Sequence, residues 1–118
     1  MYTLKKLPFS FYELEPFIDT HTIELHYYKH EASYLTNLNK ILENYNLNYQ
    51  IENLYNYLNE IKEEDKNDVI FYLSSVTNHD LYWKTINPNN KEKPKGKLLV
   101  VISKKYVSMD NLWNEFKI

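Results

Sequence analysis

The chain has 118 residues, is 43% hydrophobic and 25% charged, and carries a formal net charge of -2. That is one domain's worth of ordinary globular composition, and the charge argues against a generic nucleic-acid or anionic-membrane binder. With no cysteine and 1 glycine, disulfides, thiolate metal sites and glycine-rich phosphate loops are excluded as well.

Residues Met1 to Ser10 read as an extended lead-in, with Pro8 interrupting any early helix, and a short helical turn follows around Phe11 to Phe17. Neither an apolar signal core nor a transit-peptide composition is present there. No apolar run reaches the length of a membrane span, so the mitochondrial matrix or cytoplasm is expected rather than secretion. From Thr20 a long helix is predicted, because Ile23, His26, His30, Tyr34, Leu38 and Ile41 recur at steps of three and four. The Asn-rich stretch from Glu43 to Gln50 predicts a turn. Leu54, Leu58 and Ile61 then suggest a short amphipathic helix, followed by the charged link "KEEDKND".

A second long helix is predicted from Asp68 to Ile86, with Val69, Leu73, Val76 and Tyr82 or Trp83 on its apolar face and His79 beside them. The segment Asn87 to Gly96 carries only loop signals. A last helix should begin near Lys97, with a capped helical start at Ser108 bearing Leu112 and Phe116 on one face. "LLVVI", Leu98 to Ile102, is open to either a helix or a strand. The fold class expected is all-α, built on a long antiparallel helical hairpin.

Spacing places His26 and His30 at i and i+4, on one helix face, where such a pair can chelate a metal. "HYYKH" lacks the glutamate of the zinc-protease motif, however, and an i,i+4 histidine pair alone is a weak signal. His79 alone is weaker still, and His21 carries no functional reading.

In combination the motifs say more. "LPFSFYELEPFIDTHTIELHYYKHEASYLTNLN", "NHDLYW", "INPNNKEKPKGKL" and "SMDNLWNEF", in that order, resemble the iron/manganese superoxide dismutases from Tyr2 to Phe116. The resemblance implies that residues 1–88 form the family's N-terminal helical hairpin and residues 89–118 the loop and helix that begin its C-terminal domain. It implies that His26 and His79 are two of four metal ligands, that His30 and Tyr34 stand at the mouth of the substrate funnel, and that Trp83 lines the pocket. The other two ligands lie in an Asp-x-Trp-x-His motif of a downstream α/β domain, and this sequence ends at Ile118 without it. Ser75 stands where the iron enzymes place a glutamine and the manganese enzymes a glycine. Glu31 replaces a histidine common after His30.

Two imidazoles alone bind a first-row metal weakly. The leading expectation is therefore a non-catalytic, dismutase-like structural subunit of a larger assembly such as the small subunit of the mitochondrial ribosome, with no cofactor in the isolated chain. The alternative is an iron or manganese superoxide dismutase whose missing ligands come from another chain or from further sequence. Either way, protein partners should cover the face that an absent α/β domain would leave open. Tyr28, Tyr34, Tyr72, Tyr82, Trp83 and Trp113 are the candidates for that patch. Lys91, Lys93, Lys95 and Lys97 read as a solvated face or as an RNA contact.

Overall fold

The computed structural model describes residues 1–117, and every regular element among them is helical. The chain divides into two compact units, Met1–Pro88 and Asn89–Ile118.

In the first unit, Asp19 caps helix α1 (Thr20–Leu25): its carboxylate accepts the Thr22 amide at 2.9 Å and the Thr22 hydroxyl at 2.7 Å. The backbone then passes without interruption through a π-helical turn (His26–Glu31) into α2 (Ala32–Leu42). The turn adds a residue to the helical repeat, the kind of insertion often found at functional sites. A 3-10 segment (Ile51–Glu60), bent at Tyr57, leads to the 23-residue helix α3 (Glu63–Thr85).

Helix α3 starts earlier than the sequence pattern predicts. The charged link belongs to it, with Glu63, Glu64 and Asp65 in the first turn and Lys84 in the last. Both placements oppose the helix dipole favourably, so a stretch without apolar periodicity is helical all the same. The expected short helix exists, but in 3-10 form.

Helices α2 and α3 pack against each other as a hairpin. The buried stripe of the first rod is Ile23, Tyr27, Glu31, Leu35, Leu38 and Leu42, and that of the second is Val69, Leu73, Val76, Asp80 and Trp83. The first stripe differs from the one predicted by spacing. His26, His30 and Tyr34 lie on the neighbouring face, and their tolerance of three- and four-residue steps concealed the true seam. A carboxylate at position 31 hid it further.

Leu35, Leu38 and Leu42 join Ile51, Leu54, Ile61, Val69, Leu73 and Val76 in one core. Phe9, Leu14, Ile23, Tyr27 and Trp83 form a second. The lead-in is tied to the hairpin. Asn39 receives the Tyr2 amide and donates to the Tyr2 carbonyl, each at 2.8 Å, and the Tyr27 hydroxyl donates to the Lys5 carbonyl at 2.8 Å. Lys5 Nζ pairs with Asp80 at 2.8 Å and also with Glu52.

In the second unit, α4 (Gly96–Tyr106) takes in "LLVVI", which is therefore helical, and α5 (Met109–Phe116) follows. Ser108 caps α5 as the sequence predicts, its hydroxyl accepting the Asn111 amide at 3.2 Å. Gly96 opens α4 at φ 60°, a backbone conformation that suits a residue without a Cβ.

The two faces of α3 should respond oppositely to truncation. Leu73, fully enclosed in the core, should lose about 2–5 kcal/mol of unfolding free energy on Leu73→Ala. Leu81→Ala, on a side chain 60% exposed, should stay within about 0.5 kcal/mol in the same urea titration.

Candidate metal centre

The π-helical turn and α3 bring His26 and His79 together, with ring centroids 4.8 Å apart and planes at 77°. His79 Nδ1 lies 2.7 Å from the Ser75 carbonyl oxygen. A carbonyl can only accept, so Nδ1 is the donor, and in the neutral tautomer that satisfies this bond the lone pair lies on Nε2. A hydrogen bond of this kind orients a metal-ligating imidazole and selects its tautomer. Burial, and then the neighbouring His79 and His30, lower the pKa of His26, which favours the neutral, coordinating form.

An open cleft of about 470 Å³ exposes both rings, lined also by Thr22, Leu25, His30 and Tyr34. Tyr34 stands 5.7 Å from His79, and the Trp83 indole packs 4.8 Å from His26. His30 is exposed, its ring 6.1 Å from His26. The π turn changes the simple i,i+4 relation of the two histidines, since the inward residues of this turn are Tyr27 and Glu31. A larger cleft, about 670 Å³ between the lead-in and α1, is lined by Phe11, Tyr27 and Tyr28 and holds no histidine.

Five of the residues singled out in the sequence thus gather in one place: His26, His30, Tyr34, His79 and Trp83. Ser75 takes part through its carbonyl, while its hydroxyl donates to Phe71 O at 2.8 Å. Among the described residues no set of three or more His, Cys, Asp or Glu side chains is placed to hold an ion. The two imidazoles are donors of a kind that suits a first-row metal, but by themselves they are too few to hold one firmly.

Comparison with known proteins agrees with the geometry. Residues 1–87 match the family model described as iron/manganese superoxide dismutases, alpha-hairpin domain. The chain belongs to the iron/manganese superoxide dismutase family. It is 33% identical over 115 residues to the superoxide dismutase [Fe] of Legionella pneumophila, covering 98% of this chain and 57% of that protein. It is 34% identical over 116 residues to the superoxide dismutase [Mn/Fe] of Methylomonas sp. strain J, with the same coverage of both chains. The superoxide dismutase [Fe] of Bordetella pertussis is 36% identical over 109 residues, covering 92% of this chain and 54% of that protein. The chain therefore spans little more than half the length of these relatives.

Two seam residues escaped the reading of the sequence as site components. Asp80 and Glu31 occupy inward positions of otherwise apolar stripes, and that misplacement is the signal that could have found them. Asp80 is paired with Lys5. Glu31, 1% exposed, accepts the Trp83 indole N–H at 2.6 Å through Oε2. The surface expectation also changes for Trp83, which is 3% exposed and belongs to the core rather than to an interface patch. Tyr28, Tyr82 and Trp113 are exposed, while Tyr34 and Tyr72 are half-buried.

Burial raises the pKa of Glu31, and the nearby Asp80 charge adds to it, against the opposing Trp83 hydrogen bond. An acid raised in the folded state ionises first in the unfolded chain as pH increases. Its contribution to stability is therefore full below the ordinary glutamate range and declines as pH rises through the raised value. Denaturation midpoints of the metal-free chain between about pH 4 and about pH 8 should show this decline, and Glu31→Gln should flatten it.

Proposed function

We propose that this chain supplies the N-terminal half of an iron or manganese superoxide dismutase centre. In this reading His26 and His79 hold the metal, His30 and Tyr34 stand at the mouth, and Trp83 backs the His26 ring from the core. The remaining ligands come from polypeptide that the sequence does not include or from another chain. The observation that carries the proposal is the convergence of His26 and His79, with Nε2 of His79 left available by the Nδ1 hydrogen bond. When bound, the metal supplies the redox couple that superoxide dismutation requires. The protein's own contribution is to present two imidazoles from rigid helices at an open cleft.

The relatives bear dismutase names, which supports this reading over a ribosomal or otherwise non-catalytic role. Half a first shell makes the site dependent on a partner polypeptide, and the second unit offers a surface for one. Leu98, Leu99, Val101, Trp113 and Phe116 are all exposed there, an apolar extent that suits burial against protein. The RNA reading of Lys91, Lys93, Lys95 and Lys97 has only the exposure of those side chains in its favour, and Lys95 is paired with Glu92 at 2.9 Å. No helix of the described residues is long and apolar enough to cross a membrane.

The test is the metal content and dismutase activity of the native assembly that contains the chain. Iron or manganese should be present, and His79→Ala should remove both metal and turnover while helix content by circular dichroism is retained. A native assembly free of both metals, with His26 and His79 bonded to other groups, would overturn the proposal. The chain by itself should show no measurable turnover, because two ligands leave the ion weakly held.

A further inference from the structure

Glu31 is the least expected residue of the hairpin. It is 1% exposed, and its Oε1 meets no hydrogen-bond partner among the described residues. A buried polar atom left this way costs free energy that a leucine of similar volume would avoid. The other seam acid, Asp80, has a cation, Lys5 Nζ at 2.8 Å. Among the described residues Glu31 forms no ion pair, and its Oε2 accepts the Trp83 indole N–H at 2.6 Å, reached across 52 residues of sequence from the opposite helix.

The indole is held on its other sides by packing. Phe9 meets it edge-on at 6.3 Å, and the His26 ring lies against it at 4.8 Å and 66°. The π turn is what makes this arrangement available: it begins at His26 and ends at Glu31, so one helical turn carries both the imidazole and the carboxyl that fixes the imidazole's neighbour. His79 is oriented by the Ser75 carbonyl. No hydrogen bond to the His26 ring is found among the described residues, so packing is left to orient it.

We propose that Glu31 is a positioning residue of the half-site, its buried carboxyl fixing the Trp83 indole and, through it, the His26 imidazole. The proposal rests on the dismutase reading for its functional meaning, since the ring positioned is one of the two proposed ligands. A carboxyl that served only to join the helices would leave His26 indifferent to its removal. A positioning carboxyl would not.

The experiment uses the metal-free chain in a Trp113→Phe background, which leaves Trp83 as the only tryptophan. Proton–nitrogen NMR follows the Trp83 indole N–H and the ring signals of His26 and His79. Glu31→Leu should move the indole signal out of its hydrogen-bonded position and shift the His26 ring signals, as the indole's ring current turns away. The His79 Nδ1–H, held by the Ser75 carbonyl, should keep its hydrogen-bonded signal. Glu31→Gln, which keeps an acceptor at the same reach, should restore the His26 signals.

If Glu31→Leu does not fold, Glu31→Asp takes its place, because the shorter carboxylate withdraws from the indole, and the same His26 shift is expected. His26 signals that stay in place while the indole bond is lost would overturn the proposal and leave Glu31 as a helix tether. Failure of Glu31→Gln to restore them would overturn it as well. The readout needs no metal and no turnover. A native assembly without metal would therefore defeat the dismutase reading and leave these signals interpretable, whereas unmoved His26 signals would leave the dismutase reading intact.

Discussion

Everything in the first unit depends on the seam between its two long helical rods. Ile23, Tyr27, Leu35, Leu38 and Leu42 on one side meet Val69, Leu73, Val76 and Trp83 on the other, and the enclosed members are almost wholly dry. Burial of each such side chain is worth about 1.5–3 kcal/mol. Most helical stability in a folded protein comes from packing of the apolar face, so the seam makes the rods rigid rather than the reverse. The lead-in is fixed by the same hairpin, through the paired Asn39 hydrogen bonds to Tyr2 and the Lys5 bridge to Asp80 and Glu52.

The histidines sit beside the seam, not in it. His26 and His79 flank the buried stripes on the side that faces the cleft, so they borrow the helices' rigidity without being enclosed by the core. That division suits a ligand site, where the ring must be oriented yet reachable. It also explains the company they keep. Tyr34, Tyr82 and Trp83 surround them with aromatic surface, which excludes water from one side while the cleft stays open on the other.

Membership of the dismutase family and a span of 57% of a relative's length belong together in interpreting this surface. Leu98, Leu99 and Val101 on α4 and Trp113 and Phe116 on α5 are exposed in a chain that spans little more than half of these relatives. The seam acids are a separate matter. Their inward placement in apolar stripes violates the local pattern, and such violations concentrate where a structure serves something other than stability.

The sequence by itself determined the all-α class, the long hairpin, the Asn-rich turn, the Ser108 cap and four residues that line the cleft, His26, His30, Tyr34 and His79. These were legible because helical periodicity, capping chemistry and motif order are local properties, each carried by residues close in the chain. It did not determine which helical face turns inward. His26, His30 and Tyr34 share the spacing of a buried stripe, and only packing against α3 shows that the stripe is Tyr27, Glu31 and Leu35. It did not reveal the π turn, which needs a backbone to be seen. Nor could it join Glu31 to Trp83, because a hydrogen bond between residues 52 apart is decided by the docking of two helices. Spacing alone set His26 and His30 on one helical face, whereas the tertiary structure packs His26 against His79 and Trp83 and turns Glu31 inward.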